Sequence, residues 1–157
     1  MRVVSVYVDS SVWNAAFDDH VPDIQKLTES FLAKLAATTG ATAYISDVVL
    51  AELARAPFNR QAALAEAMRR VSPMRLELDD ESADLAEQYI KHGVVTSGHL
   101  SDARHVAIAT VSKIEVLTSW NYRHLVNRRR RDAFNGVNSI RGYPPIEIIS
   151  PPEVFDE

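Results

Sequence analysis

The sequence predicts an α/β domain in which a mostly parallel sheet of about five strands lies between two layers of helices. Short β-branched runs alternate with segments of helical periodicity along the chain. The connections between them are short and marked by Gly, Pro, Asn, Asp and Ser. A length of 157 residues with 46% hydrophobic composition suits one core, and no repeat, low-complexity tract or linker divides it. A single domain over residues 1–157 is therefore expected.

Val3 to Val8 is apolar almost throughout, as a strand covered on both faces requires. It ends at Asp9-Ser10-Ser11, where Ser10 or Ser11 can cap a helix through Val12, Trp13 and Phe17. From Pro22 to Thr38, Ile24, Leu27, Phe31, Leu32 and Leu35 recur at helical spacing, with Pro22 in the favoured first turn and Gly40 closing the helix. Ala41 to Ile45 reads as the second strand. Ser46 or Asp47 caps the next helix, which runs to about Ala56 before Pro57.

A further helix covers Arg60 to Val71, and Met74 to Leu78 is the third strand. Asp79, Asp80 and Glu81 suit the positive end of a helix that buries Leu85, Ala86, Tyr89 and Ile90 and ends at Gly93. Ser101 opens a largely buried helix through Val106, Ile108, Ala109 and Val111, and Glu115 to Thr118 is the fourth strand. The polar and basic segment from Asn121 to Asn138 is expected to be helical in part. Gly142-Tyr143-Pro144-Pro145 breaks the chain before a last strand, Ile146 to Ile149. Residues 150–157, with Pro151-Pro152, are expected as a surface tail.

Composition excludes several chemistries. Without cysteine there is no disulfide framework, thiolate metal site or cysteine nucleophile, so any metal binds through oxygen or imidazole. The apolar start is too short and wrongly flanked for a signal peptide, and no run approaches the roughly 18 apolar residues of a membrane span. A soluble, cytoplasmic protein without membrane contact is the expectation. A net charge of −4 argues against a broad basic grip on nucleic acid, although Arg128, Arg129, Arg130 and Arg131 form a basic block.

The acids fall where such a fold concentrates chemistry. Ligands of an open parallel sheet bind beyond the carboxyl ends of the strands. Asp9 directly follows the first strand, Glu52 sits in the helix after the second, Asp102 opens the helix before the fourth, and Asn121 follows the fourth. Oxygen ligands from these positions suit a hard cation such as Mg2+, with Mn2+ as substitute. Structural alternatives stay open for each: Asp9 as a turn or cap residue, Asp102 as a first-turn carboxylate, Glu52 on the wet side of an amphipathic helix. Glu52 nonetheless interrupts Val48-Val49-Leu50-Ala51 and Leu53-Ala54, where an acid without a partner is costly.

Four stretches carry a family resemblance. They are Tyr7-Val8-Asp9-Ser10-Ser11-Val12-Trp13, Ile45-Ser46-Asp47-Val48-Val49-Leu50-Ala51-Glu52-Leu53, Ser101-Asp102-Ala103-Arg104-His105-Val106-Ala107-Ile108-Ala109 and Leu117-Thr118-Ser119-Trp120-Asn121-Tyr122-Arg123-His124-Leu125. In order and spacing they resemble the PIN-domain family, in particular the VapC-type toxin ribonucleases, most strongly over residues 1–125. The resemblance implies a PIN-like three-layer α/β/α fold. It also implies a Mg2+-dependent endoribonuclease with Asp9, Glu52 and Asp102 as metal ligands and Ser10 and Ser119 supporting them. A cognate antitoxin and a homodimer are implied as partners.

This chain departs from the family at one place. Many members carry a fourth acid after the fourth strand, where this sequence has Asn121 and then His124. A neutral amide oxygen holds a cation more weakly than a carboxylate, so one firmly held metal is expected, with Asn121 in its outer shell. Arg128 to Arg131 are candidate contacts to RNA phosphates. His105, three residues after Asp102, is expected as a packing or supporting residue, and Trp13 and Trp120 as core or rim. The alternative function is a non-catalytic PIN-fold module that binds RNA or protein. A phosphoacceptor domain or an Asp-x-Asp phosphatase fits less well, because Asp9-Ser10-Ser11 supplies a single acid.

Overall fold

The structure is a computed structural model describing residues Val4–Phe155; Val3 and the last two residues of the expected tail lie outside the described residues. Five strands, β1 (Val4–Val8), β2 (Ala41–Ser46), β3 (Met74–Leu76), β4 (Val116–Thr118) and β5 (Glu147–Ile149), form one sheet in the order β3-β2-β1-β4-β5. Every neighbouring pair is parallel. In β1 the consecutive Val6, Tyr7 and Val8 are fully buried, as a central parallel strand covered on both faces demands.

Eight α-helices accompany the sheet among the described residues: α1 (Ser10–Ala15), α2 (Pro22–Ala37), α3 (Asp47–Leu53), α4 (Phe58–Val71), α5 (Asp80–Lys91), α6 (Leu100–Val111), α7 (Arg128–Ile140) and α8 (Pro151–Val154). Helices α1, α2, α4 and α8 pack together, and so do α5, α6 and α7, giving helical layers on both faces. The fold is therefore the three-layer α/β/α arrangement that the alternation of elements implies. No helix among the described residues is long and apolar enough to cross a membrane.

Register places the functional end of the sheet. Val8 pairs with Thr118, so the next residues, Asp9 and Ser119, emerge side by side, and the Asp9 amide donates to the Thr118 carbonyl at 3.1 Å. From β1 the chain builds β2 and β3 on one side and then crosses to β4 on the other, so the switch in strand order falls between β1 and β4.

Several elements depart from the sequence reading for visible reasons. Strand β3 stops at Leu76 rather than Leu78, because the Leu78 amide is taken by the Asp47 carboxylate at 3.2 and 3.3 Å. Helix α3 stops at Leu53 rather than near Ala56; the Gln61 side-chain amide closes its end by donating to the carbonyls of Leu53 and Ala56. Helix α2 leaves helical geometry at Thr38, before Gly40, whose carbonyl accepts from the Val4 amide instead. The basic segment is helical only from Arg128, where the Asn127 side chain accepts from the Arg130 amide.

The C-terminal segment, expected as a surface tail, forms α8. Pro151 is buried, Phe155 packs on Phe31 with ring centroids 5.9 Å apart, and the Lys34 ammonium lies over the Phe155 ring. Ser150 and Glu153 form a reciprocal capping box, a sequence signature that Pro-Pro obscured.

On α2, Leu27 is 45% exposed although its spacing suggests core, while Thr28 is fully buried. The Thr28 hydroxyl bonds the Ile24 carbonyl and accepts from the Trp120 indole N–H at 2.8 Å, tying α2 to the loop beyond β4. Thr28→Val keeps the volume but leaves that indole N–H unpaired, and should destabilise the protein by about 1–3 kcal/mol. Leu27→Lys should change stability by less than about 0.5 kcal/mol. Urea unfolding midpoints compare the two, and equal effects would contradict this division of roles.

Candidate metal centre

Asp9 is the innermost acid, 4% exposed. It stands at the N-cap position of α1 but makes no side-chain capping bond. Its Oδ2 instead accepts from the Ser11 hydroxyl at 2.8 Å and from Ser119 at 2.7 Å. Both serines are anchored in turn: Ser11 Oγ accepts from the Trp120 amide and Ser119 Oγ from the Asn121 amide. The loop after β4 thus grips the Asp9 carboxylate through two hydroxyls and leaves Oδ1 facing the site.

Glu52, on α3, turns toward Asp9 rather than outward. The Ser10 hydroxyl donates to Glu52 Oε1 at 3.1 Å and reaches Asp9 Oδ1 at 3.5 Å, bridging the two acids. Glu52 Oε1 also meets His105 Nε2 at 2.5 Å, and the same nitrogen is 3.4 Å from Asp9 Oδ1. A carboxylate only accepts, so Nε2 carries the proton. The other ring nitrogen, Nδ1, bonds the Tyr7 hydroxyl at 2.7 Å, and that hydroxyl bonds Ser46 Oγ at 2.6 Å. Ser46 is also the N-cap of α3, the helix that carries Glu52.

The fully buried His105 would lose its charge to desolvation alone. The hydrogen bond that His105 donates to Glu52 and the charges of Asp9, Glu52 and Asp102 outweigh that cost and raise its pKa. Burial drives the Tyr7 hydroxyl well above its ordinary range, and nearby Asp9 and Glu52 add to the rise.

Asp102 lies in the first turn of α6, its side chain 18% exposed. Burial first, and then the charge of Asp9, push its pKa up to about 6. Its partners are weak: the Asn121 amide donates to Oδ1 at 3.4 Å, and His99 Nδ1 lies 3.8 Å from Oδ2.

The structure thus gathers ligand atoms of Asp9, Glu52 and His105 within 4.8 Å of one another, and places Asp102 in an adjoining cluster with His99 and His124. No lysine or arginine pairs with Asp9, Glu52 or Asp102 among the described residues. One buried and two partly buried carboxylates that share a single imidazole as close basic partner, one of them resisting ionisation, form a donor set that fits a hard divalent cation. Asn121 uses both ends of its amide, since Oδ1 accepts from the His124 amide at 3.0 Å while Nδ2 points to Asp102.

The basic block divides. Arg128 and Arg129 are exposed at the start of α7, with Arg128 3.9 Å from Asp132. Arg130 donates to the Val94 carbonyl and Arg131 to the Ile148 carbonyl, so these two brace the fold. Trp13 is core, its indole N–H on the Val8 carbonyl.

Sequence reading underrated Tyr7, Ser11 and His105. A signal existed for each: Tyr7 and Asp9 share a face at strand period two, and His105 follows Asp102 by three residues on a helix. What it lacked was the pairing of β1 with β4, which brings Ser11 to Ser119.

Comparison with known proteins agrees with this picture. The PIN domain family model matches residues 6–124. No curated protein sequence matches. Among solved structures, a chain of VapBC2 from Rickettsia felis, bound to a DNA fragment from its promoter, superposes with a TM-score of 0.59 at 14% identity over 94% of this chain and 98% of its own. VapC20 of Mycobacterium tuberculosis, a sarcin-ricin loop cleaving toxin, gives 0.54 at 16% identity over 90% and 98%. DNA-bound VapBC from Salmonella typhimurium gives 0.51 at 17% over 95% and 99%. These likenesses are likenesses of fold. With the family model covering most of its length and the acids at the switch point of its parallel sheet, this chain belongs to the PIN domain family.

Proposed function

We propose that the chain is a divalent-metal-dependent endoribonuclease, hydrolysing RNA phosphodiester bonds as the toxin of a type II toxin–antitoxin pair. The observation that carries this reading is the surplus of carboxylate at the sheet's switch point, where Asp9, Glu52 and Asp102 lack any lysine or arginine counter-charge among the described residues. Membership of the PIN domain family supports the reading. So does likeness of fold to a sarcin-ricin loop cleaving toxin and to VapBC complexes.

Asp9, Glu52 and Asp102 would hold the ion, Mg2+ or in its place Mn2+. Such an ion, when bound, supplies Lewis-acid polarisation of a phosphate oxygen and a water of lowered pKa. The protein's share is positioning. Ser11 and Ser119 fix the Asp9 carboxylate, and the Ser46–Tyr7–His105 chain fixes Glu52. Burial of Asp9 keeps bulk water from competing for its oxygens. Asn121 steadies Asp102, and exposed Arg128 and Arg129 would meet RNA phosphates. Cytoplasmic location, a homodimer and a cognate antitoxin belong to the same proposal; co-expression with the product of the adjacent gene, followed by mass measurement of the purified assembly, should find both partners.

Asp9→Asn should lower cleavage by more than about 100-fold, the upper end of what loss of a merely supporting residue costs. Excess EDTA should abolish it. Mapping RNA ends produced by wild type and variant checks both, and cleavage that persists with EDTA would contradict a metal-dependent nuclease.

The raised pKa of Asp102 sets a stability signature. Its folded-state value, about 6, exceeds the ordinary carboxylate value, so ionised Asp102 destabilises the metal-free fold. Stability is highest with the acid protonated and falls as pH rises through about 6. Metal-free Asp102→Asn should therefore melt above wild type at pH ~7.5, and the difference should vanish below pH ~4. The variant should also lose the stabilisation that Mg2+ gives wild type. Thermal melts with and without Mg2+ across that range read both effects.

A further inference from the structure

The second cluster differs in chemistry from the first. One nitrogen each of His99 and His124 and a carboxylate oxygen of Asp102 lie within 4.8 Å of one another. The imidazoles stack with centroids 3.8 Å apart and planes inclined by 30°. His124 Nδ1 is sealed from solvent and has no hydrogen-bond partner, one of two such side-chain atoms among the described residues. A buried nitrogen without a partner is a cost that a packed histidine normally avoids.

From this geometry we infer that His99, Asp102 and His124 form a transition-metal site of the Zn2+ class. Two imidazoles and one carboxylate with an open fourth position are a typical zinc donor set, and nitrogen donors favour such cations over Mg2+. The cluster is wider than a loaded site, since zinc bonds of about 2.0–2.1 Å bring tetrahedral ligand atoms to about 3.3 Å apart. The arm able to close that gap is His99, whose side chain is 42% exposed and which ends the three-residue turn Ser97–His99. His124 is fixed by its backbone N–H on Asn121.

Charge around the cluster cuts both ways. Arg123 and Arg130 lie near His124 and disfavour a further positive charge there. The same two arginines oppose an arriving cation, but Arg130 directs its guanidinium to the Val94 carbonyl. The Asp102 carboxylate, near the charge of Asp9, gains from any cation placed beside it. The site shares Asp102 with the nuclease reading and stands without it, because neither histidine touches Asp9 or Glu52.

Cobalt(II) titration of the metal-stripped full chain, followed by visible absorption, tests the assignment. Wild type should bind cobalt with intense low-symmetry d–d bands that one equivalent of Zn2+ bleaches. His99→Asn and His124→Asn should each weaken this binding at least tenfold with unchanged circular dichroism, whereas Asp9→Asn should retain the bands even though it no longer cleaves RNA. Bands that survive both histidine substitutions, or that vanish in Asp9→Asn, would place the metal elsewhere and overturn the site. Absence of cobalt binding below millimolar concentration would do the same. If Asp9→Asn cleaves RNA normally while the histidine-dependent bands persist, only the nuclease reading fails.

Discussion

The structure is organised around one carboxylate buried at the carboxyl end of its central strand. A charged group isolated in a low-dielectric interior costs many kcal/mol, and the fold answers with hydroxyl hydrogen bonds and the nearby His105 imidazole rather than with a lysine or arginine. Asp9 receives two serine hydroxyls, each oriented by a backbone amide of the loop after β4. The β1–β4 pairing therefore does more than continue the sheet. It brings Ser119 beside Asp9, and the bond between Trp120 and Thr28 then fastens the same loop to α2.

Around that anchor the charges are arranged unequally. His105 is raised in pKa against the pull of burial because Glu52 and Asp9 sit on its Nε2, and its other nitrogen is fixed by Tyr7. One buried imidazole thus braces two acids from inside the core. Asp102 lacks so close a partner, and burial with the charge of Asp9 leaves its pKa raised. A cation-binding surface needs such a deficit, because a fully paired carboxylate would have to exchange one strong partner for another. Perturbed groups of this kind concentrate at functional sites, where stability is given up for chemistry.

Much of this was legible in the sequence where local rules govern. The helix and strand order follows from apolar periodicity, and the misfit of Glu52 in an apolar run pointed to a buried partner, which proved to be His105. What failed did so where tertiary contacts overrule local pattern. Leu27, expected in the core, is exposed while its neighbour Thr28 is buried, where the Trp120 indole N–H finds its acceptor. Arg130 and Arg131 belong to the block read as candidate contacts to RNA phosphates, and nothing local shows that their guanidiniums also serve carbonyls on other elements. The C-terminal segment read as a tail because Pro-Pro masks a capping box, and nothing local shows that Phe155 reaches Phe31.

Asn121 shows how one substitution within the family pattern is absorbed. A carboxylate at this position would face Asp102 at about the distance where like charges repel strongly in a partly buried setting. It would push upward a pKa that already stands at about 6. The amide instead donates to Asp102 through Nδ2 while its oxygen accepts from the His124 backbone. The position thus changes from a source of negative charge to a brace between an acid and a histidine. Asp9 and Glu52 keep their own shared partners, Ser10 and His105. Asp102 itself lies with His99 and His124, their ligand atoms within 4.8 Å of one another.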